Sequence, residues 1–147
     1  MNRAAFLLVA LAVVAAGVWF WRDTGGDVSS AQGAERIVLG QKLYAENCAS
    51  CHGANLEGQP DWKSRKANGR LPAPPHDASG HTWHHSDEQL FAITKLGTAA
   101  LVGKDYESDM IGFGDILGDD EIRAVLDYIK STWPEREAAR QRKVSGL

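Results

Sequence analysis

At 147 residues, with 24% charged side chains and a formal net charge of −3, the chain suits one small domain plus an extra segment. Its mildly acidic, mixed surface argues against a nucleic-acid partner. Only two cysteines are present, which excludes a disulfide framework and any Cys₄ or Cys₃His zinc site.

The extra segment is at the front. Ala4 to Trp21 is a run of 18 uncharged residues, which as a helix spans roughly 27 Å and can cross a bilayer once. Arg3 and the amino terminus precede it, while Arg22 behind it is offset by Asp23, so the positive-inside bias puts the N-terminus in the cytoplasm. Trp19 and Trp21 then fall at the far interface, where aromatic side chains are favoured. A cleaved signal peptide is the other reading, because Val14-Ala15-Ala16 before Gly17 is a plausible cleavage site, but the apolar run continues past it. Both readings export the remainder of the chain. The expected order is an anchor over 1–22, a flexible tether over 23–33, a domain over 34–134 and a charged tail over 135–147. The expected location is the bacterial inner membrane, spanned once, with the domain on the periplasmic side.

The spacing of Ile37, Gly40 and Tyr44, with Leu39 and Leu43 beside them, predicts a helix from about Ala34 to Cys48. A glycine in mid-helix costs about 1 kcal/mol against alanine. Gly40 either lets another helix cross closely or is a tolerated surface glycine.

That helix leads into Cys48-Ala49-Ser50-Cys51-His52, the pattern of c-type haem attachment. Two thiols at this spacing add to the two vinyl groups of one porphyrin, and the adjacent imidazole points at the iron as its proximal ligand. A thioredoxin-like redox pair would need a neighbouring βαβ pattern, which the sequence lacks. A Cys₂His₂ zinc site would have to draft two of the other four histidines. The assignment is therefore one haem c held covalently by Cys48 and Cys51, with His52 on its iron. Bacteria attach this group outside the cytoplasm, in keeping with export.

From Gly53 to His85 the chain is rich in Gly, Pro, Asn and Asp, and Pro60, Pro72, Pro74 and Pro75 break any long element. A loop of this length needs something to wrap, and a porphyrin would supply the core. One carbonyl of Leu71-Pro72-Ala73-Pro74-Pro75 could accept the Nδ1 hydrogen of His52 and hold its tautomer. His76, His81, His84 and His85 also lie here. Imidazoles suit copper or zinc, so a second metal is one reading of this cluster. The other is a polar loop whose histidines satisfy backbone groups and shield a haem edge, since the spacing matches no specific zinc signature.

Ser86-Asp87-Glu88-Gln89 is a capping box opening a helix with Leu90 and Ile93 on its inner face and Gly97 as its stop. Thr98 to Leu117 reads as a second glycine-punctuated loop, and it carries Met110, the one methionine besides the initiator. A low-spin haem iron takes a second axial ligand, usually methionine or histidine. Met110 is the expected distal ligand, with His76 or the His81–His85 group as competitors. Gly118 then caps a last helix with Glu121 at its third position and Leu117 stapled on Ile122. Ile122, Val125, Leu126 and Ile129 follow the amphipathic template, and Pro134 ends the packed stretch. Glu135 to Leu147 is charged and reads as a solvated helical extension or a frayed tail.

Over about Ala34 to Trp133 the chain resembles the class I c-type cytochrome family. The resemblance lies in a helix with Gly40 and Tyr44, the Cys48-x-x-Cys51-His52 site, a proline-bearing loop, a methionine loop and the terminal Val125-Leu126-Asp127-Tyr128-Ile129. It implies an all-α fold of about three to five helices around one covalent haem, preceded here by the single transmembrane helix. It also implies that the first and last helices cross at Gly40, Tyr44, Val125 and Tyr128. Ile111 stands where the family often has proline, and the histidine cluster is outside the general pattern. No nucleophile, acid or base constellation suggests catalysis. The expected function is a single-electron carrier between redox protein partners; a haem-bearing oxidoreductase subunit and a metal-handling or redox-sensing module are the alternatives.

Overall fold

The computed structural model describes residues 30–103 and 105–147. The chain divides into two compact units, Met1–Glu35 and Arg36–Leu147, and the second is the helical domain that carries the site. The anchor expected over 1–22 lies outside the described residues. Among those described, no helix is long and apolar enough to cross a membrane.

The described residues form helices joined by turns, with no strand among them. Residues 30–47 are helical, reaching back into the stretch whose composition suggested a tether; the part within the second unit, 36–47, is α1. It is followed by α2 (Ala49–His52), a 3₁₀ turn at Thr82–His84, α3 (Asp87–Leu96), α4 (Thr98–Val102), α5 (Asp119–Ser131) and α6 (Glu135–Val144). The count exceeds the expected three to five because α2 and α4 are single turns. The expected loop over Thr98–Leu117 is corrected at its start: Thr-Ala-Ala-Leu-Val, confined between Gly97 and Gly103, contains good helix formers and winds into α4.

α5 organises the core. Ile122, Val125, Leu126 and Ile129 are all buried, as their spacing predicts, and Ala124 joins them. Three acidic residues occupy its first turn, at the positive end of the helix dipole, and the Glu121 carboxylate accepts the Gly118 N–H at 2.8 Å. α1 crosses it at Gly40, where an added Cβ would collide with the Ala124 carbonyl and lie 3.0 Å from Tyr128 Cβ. Close approach, not surface tolerance, therefore explains this glycine. Beside the crossing, the rings of Tyr44 and Tyr128 are 5.6 Å apart, and Arg36 pairs with Asp127 at 2.6 Å.

α3 opens with the expected reciprocal capping box, Ser86 Oγ accepting from Gln89 N and Gln89 Oε1 from Ser86 N. Its buried face is Leu90 and Thr94, while Ile93 is half-buried; Thr94 can sit inside because its hydroxyl donates to the Leu90 carbonyl at 2.9 Å. Lys130 of α5 reaches Asp87 at 3.0 Å and ties α5 to the start of α3. In α6, Glu137 and Gln141 are buried despite the charged surroundings. Gln141 Nε2 donates to Asp87 Oδ1 at 2.7 Å, and Arg140 lies over the Trp83 ring, so one face of this helix is seated on the segment around the 3₁₀ turn.

Candidate functional site

α2 is one turn long and consists of the motif itself. The Cys51 and His52 N–H groups both bond to the Cys48 carbonyl, at 3.1 and 2.9 Å, so Cys48, Cys51 and His52 are held on a single turn. Cys48 is buried and Cys51 exposed. Burial, with the neighbouring Cys51, pushes the Cys48 thiol up to about 11, which keeps it protonated at neutral pH.

His52 is 6% exposed. Its Nδ1 lies 2.9 Å from the Pro74 carbonyl oxygen. A carbonyl can only accept, so Nδ1 carries the hydrogen and Nε2 keeps the lone pair that a metal needs. Burial lowers the pKa of His52, partly offset by this bond, which favours the neutral, ligating form. The sequence left five carbonyls open; backbone approach selects Pro74. A Cβ on Gly58 would lie 2.7 Å from the Pro74 carbonyl carbon, and one on Gly80 would collide with the Pro75 carbonyl. Gly58 also has φ +68°, and its N–H bonds to the His52 carbonyl at 2.7 Å. Two glycines thus cradle Pro74–Pro75 against the motif. On the other side, the Tyr44 hydroxyl donates to the Gly53 carbonyl at 2.8 Å, fixing the exit from α2.

Met110 lies on a separate loop, half-buried and packed against the hydrophobic core. That loop is pinned to the end of α3: Phe113 N bonds to Thr94 O and Gly114 N to Lys95 O, at 2.9 and 3.0 Å. Gly97, at φ +81°, admits the loop, since a Cβ there would lie 2.8 Å from Gly112 N and 3.0 Å from the Met110 carbonyl. The preceding Asp109 pairs with Arg70 at 2.7 Å and Lys66 at 3.3 Å, contacts that hold its carboxyl below the usual range. The proline-to-isoleucine departure at Ile111 is therefore accompanied by ionic and glycine-mediated pinning.

The four loop histidines are not gathered round a common point. His76 turns inward, its Nδ1 2.8 Å from Thr82 Oγ1. His81 stacks on Trp62 with ring centroids 5.2 Å apart, and His84 packs on Trp83 at 3.8 Å. His85 meets His81 edge-on at 5.4 Å. Among the described residues, no group of three or more His, Cys, Asp or Glu could hold a metal ion. The second metal considered for His76, His81, His84 and His85 finds no support among the described residues, where His76 meets Thr82, His81 meets Trp62 and His85, and His84 packs on Trp83.

These residues fit a covalent porphyrin. Two thiols and an imidazole with a free lone pair share one helical turn, and the Trp83 indole N–H is a buried donor without an acceptor among the described residues, able to serve a polar group the protein itself does not supply. Sequence reasoning missed Gly58, Gly80 and the Tyr44 hydroxyl as parts of the support. The glycine-and-proline composition of the loop was the available signal, but it did not say which glycine meets which proline.

Comparison with known proteins agrees. The cbb3-type cytochrome c oxidase subunit FixP of Bradyrhizobium diazoefficiens is 26% identical over 94 residues, covering 63% of this chain and 29% of FixP. The chain thus spans less than a third of the length of that relative. No solved structure matches. The family described as cytochrome c matches residues 37–133, about two thirds of the chain and all of the site from Gly40 to Trp133. By that match and by the geometry of Cys48, Cys51 and His52, the chain belongs to the cytochrome c family, whose members carry covalently bound haem c.

Proposed function

We propose that this chain is a membrane-tethered monohaem c-type cytochrome carrying single electrons between redox complexes on the periplasmic side of a bacterial inner membrane. The observation that carries the reading is the one-turn placement of Cys48, Cys51 and His52, with His52 Nδ1 committed to the Pro74 carbonyl. When bound, haem c supplies a one-electron iron couple. The chain's own part is to hold the proximal imidazole in one tautomer through the Pro74 carbonyl and to bring a thioether from Met110. A thioether would raise the potential as an electron carrier requires. The apolar run Ala4–Trp21 supplies the tether, which raises the effective concentration of membrane partners.

The test is a pyridine haemochrome spectrum and a redox titration of the full chain produced in a host that matures c-type cytochromes. A c-type spectrum in the membrane fraction, with a one-electron titration, is expected; haem-free protein, or haem protein entirely in the soluble fraction, contradicts the attachment or the tether respectively. Met110→Ala should abolish the sulfur-to-iron charge-transfer band of the oxidised protein. A band that survives this substitution removes Met110 as ligand.

A second reading is favoured by the similarity to FixP, named as an oxidase subunit: the chain serves as a haem-bearing subunit of a larger oxidoreductase. Stable co-purification with an oxidase or dehydrogenase supports it, and a freely exchanging monomer supports the carrier.

A further inference from the structure

His76 lies face to face with His52. Their ring centroids are 4.0 Å apart and their planes differ by 21°. The contact needs explaining, because the Pro74 hydrogen bond already sets the His52 tautomer. One hydrogen bond at Nδ1 restrains rotation of the ring about Cβ–Cγ, but the broad angular preference at a carbonyl oxygen leaves the ring room to rock. A flat surface against its face removes that freedom.

His76 is itself held on several sides. Its backbone N–H bonds to the Leu56 carbonyl at 2.8 Å, and its carbonyl accepts the Trp133 indole N–H at 2.7 Å. Its Nδ1 meets Thr82 Oγ1 at 2.8 Å, and the Thr82 hydroxyl donates in turn to the Pro75 carbonyl at 3.4 Å. The Tyr44 ring stands edge-on to the same imidazole at 6.3 Å. His76 keeps some accessible surface, yet its ring is enclosed closely enough that burial pushes its pKa well below the usual imidazole value.

We propose that His76 is a positioning residue for the proximal ligand: stacked on His52 and anchored through Thr82, Leu56 and Trp133, it sets the plane of the imidazole that faces the iron. The inference rests on the reading of His52 as that ligand. The orientation of an axial imidazole decides its overlap with the iron d orbitals, so this is a lever on the electronic state of the iron exerted from outside its coordination sphere. It also gives one member of the histidine cluster a role that requires no second metal.

The experiment uses haem-loaded full chain carrying His76→Ala, His76→Phe or Thr82→Val. The readouts are the electron paramagnetic resonance g values and the order of the paramagnetically shifted haem-methyl resonances of the oxidised form, with the midpoint potential alongside. Expected are shifted g values and a reordered methyl pattern in His76→Ala, with substantial recovery in His76→Phe, whose flat ring preserves the stack. Wild-type g values and methyl order in a haem-loaded His76→Ala overturn the proposal. Should His76→Ala fail to take up haem, Thr82→Val decides: altered signals support the anchored stack and unaltered signals overturn it. Absence of a c-type haemochrome from the wild-type protein would overturn the haem reading and this inference with it, whereas the variant outcomes bear on His76 alone.

Discussion

At the scale of single residues, the site depends as much on what is missing as on what is present. Gly58 has no side chain where Pro74 and Pro75 pass, and it holds φ +68°. Gly58→Ala combines a left-handed conformation that L-residues resist with an overlap against proline backbone, so a loss of about 2–4 kcal/mol is expected. Chemical denaturation of the haem-loaded protein measures this, and a change under about 0.5 kcal/mol would show that the cradle yields freely. The cysteine–histidine pentad was legible in the sequence because its chemistry is local: five consecutive residues carry both attachment points and the ligand. The choice of Pro74 was not, since five candidate carbonyls look alike until Gly58 and Gly80, from either side of the segment, admit one of them.

At the scale of elements, helix crossings and ties decide stability. Gly40→Ala gains about 1 kcal/mol of helix propensity but drives a methyl into the Ala124 carbonyl, so a net loss of about 1–3 kcal/mol is expected from thermal or denaturant unfolding. Lys130 works through charge. Burial opposes its charged form, but hydrogen bonds to Asp87 and Asp127 prevail and raise its pKa. A folded pKa above the unfolded one means that the stabilisation is complete below the ordinary lysine value and disappears as pH rises through the folded one. Lys130→Met should therefore cost about 1 kcal/mol, with the gap to wild type constant from about pH 6 to 9 and closing only above the ordinary lysine value. A gap that narrows between pH 6 and 9 would assign the effect to packing instead. α5 was readable from its apolar spacing and its cap, whereas α4 was hidden because a five-residue helix is too short to display a helical period. α6 presents few apolar residues, and its seat on the 3₁₀ turn comes from polar contacts of Gln141 and Arg140 that have no periodic signature.

At the scale of the whole molecule, the region from Gly53 to His81 has turns but no regular element, so the helices alone leave a domain short of core. Replacing both Cys48 and Cys51 with alanine should abolish covalent haem and lower the thermal midpoint by roughly 10 °C or more, followed by circular dichroism. An unchanged midpoint would mean that the polypeptide folds fully without the group. The sequence by itself determined the attachment chemistry, the helical class, the start of α5 and the apolar segment before the domain, because each is written in adjacent residues or in a short period. Only the tertiary structure decided that Pro74 holds His52 and that His76 lies on the His52 ring. Those outcomes depend on which backbones approach within a few ångströms across tens of residues, and such contacts leave no repeat in the chain that makes them.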